Sequence, residues 1–219
     1  MNFETILSKL NSTGKITGLM VVGIHAGDRF SELGTAGLPD YKNRGERSAL
    51  YQQFVLQELL VFIKEGWPNV PFSSNAIAGF SLGALSAFDT FLNYRGVFSI
   101  AGMFSGSFWW RSKDLDDGYN EDTDRIIHQK VKQASYQEGA KFYFTTGSLD
   151  ETADRNNNGI IDSIDDTLGL IKELEKIGYR RGKDIEYINY DDGKHDVDTW
   201  GKAMPAFLLW GWGKKKAIK

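Results

Sequence analysis

Gly79-Phe80-Ser81-Leu82-Gly83 sets a serine between two glycines in the spacing G-x-S-x-G. A serine hydroxyl is a poor nucleophile until a neighbour takes its proton. The spacing therefore matters only where the backbone presents that hydroxyl. Asn75–Phe80 (NAIAGF) reads as a buried strand, and a helix is expected from Leu82 onward. In a strand–turn–helix elbow the serine occupies a strained turn above the sheet. Its flanking glycines admit close approach of strand and helix, and the next backbone N–H, here that of Leu82, can stabilise an oxyanion. The competing reading is a glycine-rich packing turn with a solvated serine, since five residues with three fixed recur by chance.

A nucleophile needs a base, and the chain has three histidines: His25, His128 and His195. Where a triad is built on such an elbow, the chain order is serine, acid, histidine. His25 precedes the serine and fails that order. His128 lies in a polar, helical-looking stretch (TDRIIHQKVKQAS), where an exposed histidine is expected. His195, in YDDGKHD, follows the last expected strand at its C-terminal end, the edge where open α/β sheets place their sites. It is the base that elimination leaves, against the reading of a surface-loop histidine. The acid is expected after the preceding strand, where KFYFTTG runs into Ser148-Leu149-Asp150-Glu151. Asp150 comes directly off the strand and is the first choice to hold a histidine tautomer. Glu151 is the alternative.

Asp154 has a different use. Residues 154–165 read DRNNNGIIDSID, the D-x-[DN]-x-[DN]-G pattern of a twelve-residue calcium loop. Asp154, Asn156 and Asn158 take positions 1, 3 and 5, and Gly159 makes the turn. Ile160 offers its carbonyl at 7, Asp162 stands at 9 and Asp165 at 12. Aspartate replaces the usual glutamate at position 12, which argues for a dockerin-type loop or weaker binding. An Asx-rich surface turn is the bland alternative. The ion read here is a structural Ca²⁺ that folds the segment after Asp150.

These residues need a scaffold. Five short apolar segments read as buried strands: Ile16–Ile24, Asn75–Phe80, Val97–Phe104, Lys141–Thr145 and Ile185–Tyr190. Helical patterns fall between or after them at Arg47–Glu65, Leu82–Asn93, Asp166–Ile177 and Val197–Trp210. Strand alternating with helix predicts a mostly parallel sheet covered on both faces. With 219 residues and no repeat or linker, residues 1–219 are read as one domain. The absence of cysteine excludes disulfides, thiolate metal sites and a cysteine nucleophile. A net charge of -3 points to no nucleic-acid or anionic-membrane partner. The basic tail Lys214, Lys215, Lys216 and Lys219 reads as a solvated end. No apolar run approaches membrane-spanning length. MNFETILSKLNSTGK lacks a secretory pattern, so the chain as written reads as cytoplasmic, or as extracytoplasmic with its signal removed. A calcium loop of modest affinity favours the second.

Taken together, AGFSLGALSAF, VVGIHAGDRFSEL, DYKNRGERSALYQQFVLQELLVFI, FSGSFWW, TTGSLDE and GKHDVDTW resemble the esterase family of the α/β-hydrolase superfamily, the group of esterase D and enterochelin esterase-like proteins. The resemblance covers nearly the whole chain. It implies an α/β-hydrolase-like three-layer fold, Ser81 as nucleophile, His195 as base, Asp150 as acid and the Leu82 N–H as one oxyanion donor. It also implies a small-molecule or saccharide ester as substrate. Family members begin with further strands, one of which leads into the second oxyanion donor. The chain as written lacks those first N-terminal strands, so the expectation is either an N-terminally shortened form or His25-Ala26-Gly27 in that role. An edge left unpaired would favour a homo-oligomer. A second reading is a non-catalytic calcium-stabilised module that binds a saccharide or partner. Phe108, Trp109 and Trp110 would serve it as a sugar platform, or serve the fold as core.

Overall fold

The computed structural model describes residues 2–16 and 18–214. Thr17, within the first expected strand, and Lys215, Lys216 and Lys219 of the basic tail lie outside them. Four strands form one sheet: β1 (Ala76–Phe80), β2 (Ile100–Phe104), β3 (Lys141–Leu149) and β4 (Ile185–Lys194), in the order β1-β2-β3-β4 and all parallel. The helices are α1 (Phe3–Ser12), α2 (Arg29–Glu32), α3 (Ser48–Gln53), α4 (Leu60–Gly66), α5 (Leu82–Asn93), α6 (Glu121–Asp124), α7 (Ile126–Lys132), α8 (Asp162–Lys176) and α9 (Val197–Trp212). A π-helical segment, Phe54–Leu59, joins α3 to α4. The expected helix Arg47–Glu65 is thus one run with a π insert.

The central strands β2 and β3 are buried on both faces, neighbouring residues of a strand pointing opposite ways into two packed layers. Ala101 and Met103 of β2 join Phe142 and Phe144 of β3 against Leu85 and Phe88 of α5 and Leu170 and Ile171 of α8. Ile100 and Phe104 face the other way, with Tyr143, against Phe207 and Leu208 of α9 and Leu10 of α1. That alternation inside continuous apolar runs is why the four strands were readable.

Ile16–Ile24 departs from expectation. Ile16 makes a single antiparallel bridge to Gly213. Residues 18–26 form no ladder, and Met20, Val21, Val22 and Ile24 are exposed. An apolar run becomes a strand only when its N–H and C=O groups find a neighbour to pair with, and among the described residues this run has none beyond the Ile16 bridge.

His128 is also unlike its expectation. It lies on α7 and is 1% exposed, with Nε2 3.0 Å from the Asp166 carbonyl and Nδ1 unpartnered. Burial, helped by the Arg125, Arg155 and Lys132 charges, holds the imidazole well below its ordinary value of 6.5, against the hydrogen bond to Asp166. Below pH 6.5 the unfolded chain therefore takes up a proton that the folded chain refuses, and stability falls as the pH falls. His128→Gln keeps a donor for the Asp166 carbonyl without an ionisable ring. The melting temperature of the variant should decline less steeply between pH 7 and pH 5 than that of the wild type, where one proton is worth up to about 1.4 kcal/mol per pH unit. Parallel slopes in a pH series of melting curves would count against this account.

Candidate active site

The parallel register brings the candidate residues to one edge. Phe80 of β1 pairs with Phe104 of β2, and the next residues are Ser81 and Ser105. Leu149 of β3 pairs with Lys194 of β4, and the next residues are Asp150 and His195. Four polar side chains thus follow four strand ends on the same side of the sheet.

Ser81 has φ 56° and ψ -124°, a region that non-glycine residues rarely enter. Its backbone is tied on both sides. Ser81 N–H donates to the Phe104 carbonyl at 3.0 Å, and the Ser81 carbonyl accepts from Ala84, Leu85 and Ser107 at 3.0, 3.3 and 3.2 Å. Leu82 heads α5, where an N–H has no intrahelical acceptor. The two elbow glycines do different things. A Cβ on Gly79 would stand 2.1 Å from the Gly83 carbonyl oxygen, whereas a Cβ on Gly83 meets nothing within 4 Å.

Asp150 is built in by hydrogen bonds. Its carboxylate accepts from Ser105 Oγ at 3.1 Å, from the Gly147 N–H at 2.9 Å and, at 3.5 Å, from Ser163 Oγ. His195 Nδ1 stands 4.0 Å from Asp150 Oδ1, longer than a hydrogen bond. The close approach of the ends of β3 and β4 depends on Gly147 and Gly193: a Cβ on Gly147 would lie 2.4 Å from the Gly193 carbonyl oxygen. The histidine loop is fastened by the start of α9. Asp196 accepts from the Thr199 N–H at 2.8 Å, and Thr199 Oγ1 accepts from the Lys194 N–H at 2.9 Å.

Ser81, Leu82, Asp150, Glu151 and His195 line one cavity of about 250 Å³, walled by Phe30 and Trp109 and edged by Arg29 and Arg44. Ser81 Oγ has Ser107 Oγ at 3.5 Å, and no hydrogen bond joins Ser81 to His195 among the described residues. Glu151, the alternative acid, is placed differently from Asp150. One of its carboxyl oxygens is buried without a partner. Burial pushes its carboxyl up, only partly offset by the Ser163 N–H, and the charges of Asp162, Asp166 and Asp150 add to the rise. The aromatic trio divides. Phe108 and Trp110 are core, while Trp109 is half-buried at the cavity under the Arg44 guanidinium, 5.0 Å away.

His25-Ala26-Gly27 does not take the expected place. His25 and Gly27 line a neighbouring cavity with Glu32, Arg47 and Tyr51, and the Gly27 N–H is spent on Glu32 Oε2 at 2.9 Å. Of this part of the chain, Arg29 and Phe30 reach the cavity of Ser81. Ser105 and Trp200 escaped the sequence reading, although FSGS and HDVDTW lay within stretches already singled out.

The acid loop runs on into the calcium-loop pattern. Asp154 accepts from the Asn158 and Gly159 N–H groups at 3.1 and 2.9 Å, and Asn158 Oδ1 accepts from the Ile160 N–H at 2.8 Å. Asn156 Nδ2 donates to Asp165 Oδ2 at 3.1 Å, which ties the turn of residues 154–159 to the first turn of α8. Asp162 does not join them. It accepts from the Arg155 N–H at 3.0 Å and pairs with the Arg155 guanidinium at 3.3 Å. Among the described residues no group of three or more His, Cys, Asp or Glu is arranged to hold a metal. Two carboxylates, two amides and a backbone carbonyl are oxygen donors of the type that calcium takes.

Residues 1–210 match a family model described as "Putative esterase". Among solved structures, the enterobactin esterase FES from Shigella flexneri is similar with a TM-score of 0.66 and 22% identity, over 94% of this chain and 47% of that one. A ferulic acid esterase gives 0.64 and 17%, over 95% and 75%. An IroE-like serine hydrolase from Shewanella oneidensis gives 0.62 and 16%, over 96% and 65%. The chain thus spans about half the length of the first of these, and at these identities the likeness is one of α/β-hydrolase fold. No curated protein matches the sequence.

The glycine asymmetry is testable. Gly79→Ala should destabilise by about 1–3 kcal/mol, the range of core overpacking, because backbone stands in the way. Gly83→Ala, at the start of a helix with open space, should be neutral or stabilising by up to about 1 kcal/mol. Urea unfolding of both variants compares them directly, and equal losses would contradict the elbow geometry.

Proposed function

We propose, from the premise that the chain belongs to this esterase family, that it hydrolyses carboxylic esters with Ser81 as nucleophile, His195 as base and Asp150 as acid. The observation that carries the reading is the register, which sets a strained serine, a three-donor carboxylate and a histidine around one cavity. Ser81 Oγ attacks the acyl carbon as His195 takes its proton, and the Leu82 N–H faces the charge that develops on the carbonyl oxygen. His195 returns the proton to the leaving alcohol. Water then attacks the acyl-serine by the same route in reverse. Asp150 holds the imidazole in the tautomer that leaves its outer nitrogen free.

The substrate is a small-molecule or saccharide ester. Phe30 and Trp109 offer aromatic walls and Arg29 offers positive charge, while the Arg44 guanidinium is paired with Asp40, a lining suited to an aromatic ring that carries polar oxygens. The names of the similar structures, enterobactin esterase and ferulic acid esterase, point the same way.

Ser81→Ala should abolish turnover of a short-chain aryl ester and labelling by a fluorophosphonate probe, without loss of fold. His195→Ala should be about as damaging, because groups that act as a unit lose activity together. Wild-type turnover in purified Ser81→Ala would remove the reading.

The calcium proposal is separate. Asp154, Asn156, Asn158 and Asp165, with the Ile160 carbonyl, are the residues that would hold a structural Ca²⁺, while Asp162 stays with Arg155. The ion would supply no chemistry. It would hold the loop whose far end, Ser163, lies against Asp150. An ion bound only by the folded state adds about 2.7 kcal/mol at a hundredfold excess over its dissociation constant. Chelator should therefore lower the melting temperature and the turnover, and Asp154→Ala should make the protein indifferent to chelator. Identical melting curves with calcium and with chelator would reduce DRNNNGIIDSID to a polar turn.

A further inference from the structure

A hydrogen-bond chain stands behind the acid. Trp200, in the first turn of α9, donates its indole N–H to Ser105 Oγ at 3.1 Å, and Ser105 Oγ lies 3.1 Å from Asp150 Oδ1. An indole nitrogen only donates, and an ionised carboxylate only accepts. The Ser105 hydroxyl between them has one arrangement left: it accepts from Trp200 and gives its proton to Asp150. The direction of the chain is set at both ends.

The same indole touches the other two parts of the site. It meets the His195 ring edge-on, with centroids 5.3 Å apart at 81°. It stacks on Phe80, the residue before Ser81, at 5.1 Å and 28°. Ser105 shows that this arrangement is held against a cost. Its φ is 47°, a left-handed conformation uncommon for a residue other than glycine. Such strain persists where the surroundings over-determine it, and here the Ser105 N–H is bonded to the Thr145 carbonyl at 2.8 Å while its hydroxyl is bonded at both ends.

We propose that Trp200 is a positioning residue for the acid–base pair, acting through Ser105 on the Asp150 carboxylate and directly on the His195 ring. The proposal rests on the triad reading above. Asp150 Oδ1 is the oxygen nearest His195 Nδ1, and it is the oxygen that Ser105 occupies. Trp200 thereby sets where that oxygen stands and how the imidazole is turned toward it. It contacts no reacting atom.

A wholly structural tryptophan would behave differently from a positioning one, and kinetics separates the two. Trp200→Phe keeps an aromatic ring and removes the N–H, while Ser105→Ala deletes one oxygen. Each should lower kcat on a short-chain aryl ester by up to about tenfold, the scale of one hydrogen bond, with KM changed by less than about twofold. The double variant should lose no more than the worse single, because both act through one carboxylate oxygen. In an Asp150→Asn background, Trp200→Phe should cost less than about twofold, since the chain then has no charge to position. An unchanged kcat in Trp200→Phe and Ser105→Ala would overturn the proposal. So would an equal loss from Trp200→Phe in the wild-type and in the Asp150→Asn background. Should Trp200→Phe fail to fold, Ser105→Ala with and without Asp150→Asn makes the same comparison. Ser81→Ala in the series keeps the two ideas apart: active Ser81→Ala strikes the triad, whereas inactive Ser81→Ala beside fully active Trp200→Phe strikes only the relay.

Discussion

Parallel pairing, with one register shift between Gly147 and Leu149 in the β3–β4 ladder, is the constraint on which the site depends. Residues partnered across a ladder are followed by residues at the same height, so Phe80 opposite Phe104 delivers Ser81 beside Ser105, and Leu149 opposite Lys194 delivers Asp150 and His195. A slip of one residue in any ladder would turn these side chains to the other face and bury or scatter them. The register is held by the two-faced core. Met103 and Phe104 cannot exchange sides without putting Phe104 against α5 and Met103 against Phe207.

That edge is then shaped by backbone strain and close approach. Ser81 and Ser105 both hold positive φ at the ends of neighbouring strands. Each is locked by continuation of the ladder beyond the strand, Ser81 N–H to Phe104 and Ser105 N–H to Thr145. Gly147 against Gly193 lets the ends of β3 and β4 meet where any side chain would hold them apart. The consequence is a carboxylate with three donors, yet still facing the imidazole. Burial of Asp150 is tolerable because those donors replace the water it loses.

Beyond the acid, the loop is anchored by charge as much as by its turn. Arg155 is nearly buried and reaches Glu121, Asp162 and Asp166, and Arg125 reaches Asp166 from the residue before α7. Burial pushes the Asp166 carboxyl up, against the pull of both guanidiniums. This network fastens the second residue of the DRNNNGIIDSID segment to the body of the protein. It also explains why Asp162, a ligand by pattern, belongs to an ion pair in space.

What the sequence by itself determined is whatever depends on near neighbours. Apolar runs of strand length and 3.6-period helices marked four of the five expected strands and the helices between them. Gly79 to Gly83 marked the strand–turn–helix at Ser81, and chain order singled out Asp150 and His195 as the candidates to join it. The turn in residues 154–159 is likewise local, since its Asx side chains bond their own backbone. Tertiary structure decided what depends on a distant partner. Ile16–Ile24 has the composition of a strand but no ladder to join among the described residues. His128 has polar neighbours in sequence but is enclosed by α8 in space. The link from Trp200 to Ser105 spans 95 positions and follows from no periodicity. Hydrogen-bond partners and burial are pairwise properties of the folded chain, and a pattern read along one segment carries only half of each pair.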